Sequence, residues 1–313
     1  MTQSTDLPPS EQPATPLEAL TPRHEYDAAL DDGENPFRKC FGDLDESEWL
    51  AVLKRSLTER VIDGVEFPRF PGQKLQSRIH GSVGEASLVQ AHSFYSFTRE
   101  HTYKDTRGAE GRRFLDFGAG WGRITIPFLR DFSARNMFGY EPNLLFCTVA
   151  RALNPYSCFI HGSKEAGPWL PGDWFDVVVA YSIFSHLGEA AARAWLVEIN
   201  RATRPAGWCV ITTWGSRFLD RLDQGAEKLG AGETLEWYDE LCVRTAGDLG
   251  ARREEYDAGE FVYFGQGDPN YGETLISEPA LRTIVREEGL DFELERFDTT
   301  SLAQDAFVLR RPS

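Results

Sequence analysis

Several residues in this chain stand at spacings that can do chemistry. Gly118, Gly120 and Gly122 lie in FLDFGAGWGR, straight after one apolar run and just before another. Asp116 stands two positions ahead of the first glycine, Glu141 ends the next apolar run, NMFGYE, and His186 follows the most apolar one, WFDVVVAYS. Glycines between a strand and a helix let backbone approach a ligand closely and permit turns that a Cβ blocks. The helix start beyond them offers free N–H groups. An acid ending the second strand is placed to accept hydrogen bonds from ribose hydroxyls. A histidine at the ligand edge of a sheet is a candidate general base, and equally a pocket wall. The order G-A-G-W-G is not the G-x-G-x-x-G of dinucleotide sites, which speaks against a nicotinamide dehydrogenase.

These residues need a scaffold, and the pattern supplies one. From 112 onward short apolar runs alternate with helical stretches. Strands are predicted at 112–118, 136–141, 158–162, 174–182 and 208–215. Helices are predicted after the glycine turn to about 134, over 143–153 and over about 188–203. Such alternation with short links predicts a parallel sheet covered on both faces. Tyr181 and Ser182 end the fourth strand and are expected on the pocket floor. A helix over 277–289, with Ser277 as cap and Gly289 near its end, precedes two closing strands, DFELERF and DAFVLRR. Helices are also predicted over 43–62 and 82–101. The proposed organisation is a tail over 1–35, a helical extension over 36–109, a core over 110–215 and 278–313, and an insert over 216–277.

Composition narrows the function. The 313 residues carry a formal net charge of −16, with 49 acidic against 33 basic residues. That speaks against a nucleic-acid partner, which needs clustered Lys and Arg. The five cysteines form no CxxC pair and no metal-ligand spacing, so no metal is expected, and their scatter suits a reducing cytoplasm. No run approaches the ~20 apolar residues that span a bilayer. The opening MTQSTDLPPSEQPATPLEAL has no apolar signal core, and a cytoplasmic location is expected.

LDFGAGWGR resembles the first motif of class I S-adenosylmethionine-dependent methyltransferases, acid-x-Gly-x-Gly-x-Gly. GYEPN is similar to the second motif and FDVVVAYSIFSHL to the fourth-strand motif. WLVEINRATRPAGWCVITTWG is similar to the usual helix, turn and fifth strand, with Pro205-Ala206-Gly207 where Pro-Gly-Gly is common. The likeness covers 110–215 and extends more weakly over 278–313. It implies a doubly wound, mostly parallel seven-stranded sheet of the Rossmann-like methyltransferase fold, with S-adenosyl-L-methionine as cosubstrate. Gly118, Ala119, Gly120 and Gly122 would pass beneath its methionine and ribose part. Asp116 would face the methionine ammonium, Glu141 the ribose hydroxyls, and Pro142 and Asn143 the adenine. Ser163 stands where many members have an acid that contacts the adenine amine. The expected reaction is methylation of an oxygen or nitrogen on a small molecule or glycan unit. A protein acceptor, or a non-catalytic module that keeps the fold, are the alternatives.

Overall fold

The computed structural model describes residues 35–265 and 267–313. The expected tail over 1–35 therefore lies outside the described residues except for Asn35. That residue is buried and caps helix α1 (Pro36–Phe41), accepting from the N–H groups of Phe37 and Arg38. Its amide donates to the carbonyls of Leu129 at 2.7 Å and Phe132 at 2.8 Å, which fastens the extension to the core.

Helix α2 (Glu46–Arg55) begins with a capping box between Asp45 and Glu48. It stops well short of the predicted 62. Residues Val61–Ile62 (β1) and Val65–Glu66 (β2) instead pair as a hairpin around Asp63-Gly64. Both turn residues have positive φ, 50° and 83°, the geometry that Asp-Gly favours in a two-residue hairpin loop. Helices α3 (Gln73–His80) and α4 (Gly84–His101) follow. Helix α4 turns Leu88, Ala91, Phe94 and Phe97 inward, the face that the spacing predicts.

The core is one seven-stranded sheet. It contains β3 (Phe114–Phe117), β4 (Met137–Glu141), β5 (Cys158–His161), β6 (Phe175–Ala180), β7 (Thr203–Thr213), β10 (Glu293–Asp298) and β11 (Asp305–Arg310). Its order is β10-β11-β7-β6-β3-β4-β5. β3 through β7 are mutually parallel and the last two are antiparallel. The strand order reverses at β3, so the crevice beyond the carboxyl ends of β3, β4 and β6 is the topological switch point. Alternate residues feed two cores. Phe114, Val177, Val179 and Val210 face the N-terminal helices, while Leu115, Val178, Cys209 and Ile211 face α7 (Glu189–Ala202) and α11 (Glu278–Glu287).

The helix predicted from the glycine turn to about 134 is reduced to α5 (Thr125–Phe128) amid turns. Pro127 cannot donate a backbone bond there, and Thr125 spends its hydroxyl on the carbonyl of Gly122 at 2.7 Å. The link from β4 to β5, α6 (Leu144–Leu153), forms as predicted. The insert builds its own small core from Phe218, Leu222, Cys242, Tyr256, Val262 and Leu275. These come from α8 (Ser216–Gly230), α9 (Trp237–Ala246), α10 (Leu249–Asp257), β8 (Val262–Phe264) and β9 (Glu273–Leu275). No helix among the described residues is long and apolar enough to cross a membrane.

A charged cluster binds the helical extension to the sheet. Arg130 is fully buried and donates to Glu46 Oε1 at 2.5 Å and to the Tyr95 hydroxyl at 2.6 Å. Arg99 and Ser96 also reach the Glu46 carboxylate, and His92 Nε2 lies 3.3 Å from it. Partial burial pushes the Glu46 carboxyl up, but His92, Ser96 and Arg130 outweigh it and hold it down, from 4.5 to about 2. Glu46→Ala should destabilise the fold by about 1.5 kcal/mol at pH 7. That is the low end for bonds to a charged group, because this side chain is 37% exposed and screened. A depressed carboxyl gives stability that is present above its unfolded pKa and lost on acidification. The gap between the parent and Glu46→Gln should therefore close as pH falls from 4.5 towards about 2. Denaturant melts across that window check this, and a pH-independent gap would overturn it.

Candidate active site at the carboxyl edge of the sheet

The glycine loop leaves β3 with Gly118, Gly120 and Gly122 all at positive φ, 78°, 58° and 88°. A Cβ costs energy at each. At two of them the protein itself also fills the missing space. A Cβ on Gly118 would meet Ile183 Cδ1 at 2.1 Å, and one on Gly122 would meet Phe159 Cζ at 2.7 Å. The loop amides are already directed: Gly118 and Ala119 donate to the carbonyl of Tyr140 at 2.9 and 3.0 Å.

Glu141 ends β4 and is buried. Its Oε2 accepts from Gly120 N at 2.8 Å and its Oε1 from Asn143 N at 2.7 Å. One carboxylate thus ties the loop after β3 to the loop after β4. Burial raises its carboxyl above the ordinary 4.5, while those two N–H bonds pull it back. Each oxygen keeps a further lone pair for hydroxyl donors.

Asp116 sits beneath the same loop, 1% exposed, and its Oδ2 has no hydrogen-bond partner. Burial raises its carboxyl to about 8, against the attraction of Arg123 and with the repulsion of Glu141. Arg123 is itself buried, donating to the carbonyl of Ser87 and to Gln90 Oε1 on α4. A buried orphan acceptor of this kind fits a cationic donor arriving from the crevice.

The remaining predicted residues have particular places. Pro142 is exposed, and Asn143 caps α6 with its side chain. Leu144 and Leu145, which the sequence reading did not single out, are the exposed apolar pair beside them, 60% and 59% accessible. Ser163 accepts from the N–H of Glu165 at 3.0 Å, and its carbonyl accepts from the Tyr140 hydroxyl. Tyr181 turns away under α4, its ring 4.8 Å from Phe94, with the Arg123 guanidinium 5.4 Å from its centroid. Ser182, at φ 60°, lies in a polar knot with Ser185, Thr212 and Gln304. Ile183 is the side chain laid over the loop at Gly118.

His186 lies on the turn after β6, where the insert meets the core. Its Nδ1 is 2.9 Å from the carbonyl of Gly272 and 3.6 Å from Glu273 Oε2. A carbonyl can only accept, so Nδ1 carries a proton, and in the neutral imidazole the lone pair is on Nε2. The imidazole stacks on Tyr271 with centroids 5.3 Å apart and planes at 19°. Burial raises the Glu273 carboxyl, while His186, Tyr238 and Trp214 pull it down. No group of His, Cys, Asp and Glu that could hold a metal ion occurs among the described residues.

The sequence over residues 114–207 matches the profile of a methyltransferase domain. No curated protein sequence matches the chain. Among solved structures, a protein from Pyrococcus horikoshii is similar at 13% identity, covering 75% of this chain and 93% of its own, with a TM-score of 0.48. Magnesium protoporphyrin IX methyltransferase from Synechocystis, solved with S-adenosylhomocysteine, is 13% identical over 76% of this chain and 93% of its own, TM-score 0.45. The 1,6-didemethyltoxoflavin-N1-methyltransferase of Burkholderia thailandensis is 15% identical over 86% and 91%, TM-score 0.46.

The state of Asp116 is measurable. A carboxyl with its pKa raised from 3.8 to about 8 holds a proton in the folded chain that the unfolded chain has released. Stability therefore falls as pH rises between those values. Asp116→Asn should remove that slope, gaining more than about 1 kcal/mol on the parent between pH 5 and pH 8. Urea melts at the two pH values test it, and parallel behaviour of the two proteins would refute it.

Proposed function

We propose that this chain, whose core is a class I S-adenosylmethionine-dependent methyltransferase domain, methylates an oxygen or nitrogen on a small-molecule or glycan acceptor. The observation that carries the reading is the buried Asp116 carboxyl, whose Oδ2 has no partner among the described residues, beneath a glycine loop that Glu141 holds in place. When bound, S-adenosylmethionine supplies a methyl group on a sulfonium, open to in-line displacement.

The chain's residues take the following parts. Asp116 faces the cosubstrate's ammonium, and Glu141 accepts from its ribose hydroxyls. Gly118, Ala119, Gly120 and Gly122 form the floor beneath them. Pro142, with Leu144 and Leu145, makes an apolar wall for the adenine, and Ser163 stands at its rim. Tyr181 and Ser182 support the floor from below, the first through Arg123 and the second through the knot with Gln304. His186 accepts a proton from the acceptor at Nε2, with Nδ1 held by Gly272. The segment 216–277 covers the acceptor side and excludes water.

S-adenosylhomocysteine at a hundredfold excess over its Kd should stabilise the fold by about 2.7 kcal/mol, and NAD should leave the melting temperature unchanged. Glu141→Ala should weaken S-adenosylhomocysteine binding at least about tenfold in calorimetry, the scale of a lost bond to a charged group. Stabilisation by NAD with none by S-adenosylhomocysteine would sink the assignment. A screen of acceptors with labelled methyl donor then identifies the product.

A further inference from the structure

We propose that Asp116 couples the binding of the cosubstrate to the release of a proton: it is a neutral carboxylic acid in the free protein and gives its proton to solvent when the ligand's ammonium arrives. The proposal rests on the methyl-transfer reading of the crevice and adds to it the means by which the site selects a cationic ligand.

The first ground is the place of Asp116. It lies on β3 inside the sheet, paired with Gly139 of β4 on one side and Val179 of β6 on the other. Neither neighbour has a side chain that can donate a hydrogen bond. The residue is buried, and its Oδ2 has no partner among the described residues. A buried carboxylate is tolerated where it accepts several bonds or touches a cation. Glu141, in the same crevice, meets that condition with two backbone N–H groups. The influences on the Asp116 carboxyl are burial and two charges that act through space.

The second ground is what those charges do. The Arg123 guanidinium attracts a carboxylate at Asp116, and Glu141 repels it. Arg123 is directed elsewhere: its Nη1 donates to the carbonyl of Ser87 at 2.9 Å and to Gln90 Oε1 at 2.7 Å. Its Nε has no partner, so that N–H does not reach Asp116 either. Both groups that α4 offers Arg123 are neutral. On β6, the Tyr181 ring lies against the guanidinium, and burial raises its hydroxyl, so it stays neutral too. Burial outweighs the attraction of Arg123, with Glu141 adding to it, and the Asp116 carboxyl rises to about 8.

The third ground is the balance of the exchange. An arriving ammonium brings one positive charge and the N–H donors that Oδ2 lacks. The carboxyl O–H bond breaks, its proton goes to the buffer, and a carboxylate paired with an ammonium remains. The crevice carries the same net charge before and after. Neither an unpaired carboxylate nor an unpaired ammonium is left buried, which is the costly alternative on each side. A ligand of similar shape without the ammonium leaves the proton where it is, and gains nothing from Asp116.

The test is calorimetry of the full chain with S-adenosylhomocysteine, which carries the same ammonium, in buffers of different ionisation enthalpy. Absence of binding refutes the methyl-transfer reading itself. Where it binds, the dependence of the heat on the buffer counts the protons released. At pH 7 the count should be about one per site, because a carboxyl raised to about 8 is mostly protonated there. Release on binding makes affinity rise with pH, by about tenfold from pH 6 to pH 7 and by less from pH 7 to pH 8. Asp116→Asn has no such proton to lose. It should show no buffer dependence and equal affinity at pH 6 and pH 7. 5′-Methylthioadenosine keeps the adenosine and the sulfur but has no ammonium, and should bind the parent without releasing a proton. The parent's own dependence on buffer and pH stands without either comparison. S-adenosylhomocysteine that binds the parent with no proton release would overturn the proposal. So would the same release from Asp116→Asn or with 5′-methylthioadenosine, since the proton would then come from elsewhere in the site.

Discussion

The bond from Gly120 N to the Glu141 carboxylate ties the loop after β3 to the end of β4. Three consecutive alternate positions at positive φ would leave the loop after β3 free to wander, since glycine loses the most conformational freedom on folding. The carboxylate fixes it by accepting from the loop at one oxygen and from the start of α6 at the other. The carbonyl of Tyr140 takes two further amides of the same loop. What a ligand meets at this edge is thus set before it arrives, and binding need not be spent on ordering the backbone.

A second fastening works on the other side of the crevice. The insert is stitched through main-chain bonds to the turn after β6, and Thr213 at the end of β7 adds a bond to the carbonyl of Thr274. The stacked His186 and Tyr271 belong one to the core and one to the insert. The segment's separate apolar cluster leaves this strip as its hydrogen-bonded seam with the turn after β6. Its role as an acceptor cover, as proposed here, then depends less on a swinging hinge than on which side chains the strip presents.

Much of this was legible in the residues. Spacing alone singles out the glycines, Asp116 and Glu141 as candidates, because the loop that joins a strand to the next element is a local feature. The five parallel strands are legible in the alternating apolar runs, whereas their order in the sheet is not. The hairpin at Val61–Glu66 was missed because Leu57 and Val61 continue a helical period by coincidence, while the Asp63-Gly64 signal that ends it was passed over. The short extent of α5 is illegible for the opposite reason: residues 121–132 are buried on every side, Arg123, Arg130 and Asp131 included, so periodicity cannot separate a helix from buried turns. The lacing of 270–274 to 185–188 and the cluster around Glu46 join residues some fifty to ninety positions apart, and no local pattern encodes such a pairing.

The charge at the sheet edge has a direction of its own. Asp116, Glu141 and Glu273 are all buried acids, and burial is the largest influence raising each of them. The chain as a whole is strongly acidic, so no distant surplus of positive charge offsets them. The Arg123 guanidinium acts on Asp116, and it is already bound to α4. Such an edge favours a cationic ligand over a neutral one of the same shape, and the preference is amplified where water is excluded. On the proposed assignment the cosubstrate enters with both an ammonium and a sulfonium charge. The product that leaves has lost the second. On that assignment Asp116 meets the ammonium, a charge the product keeps, so what the product loses with the sulfonium is only the longer-range attraction of the surrounding acids.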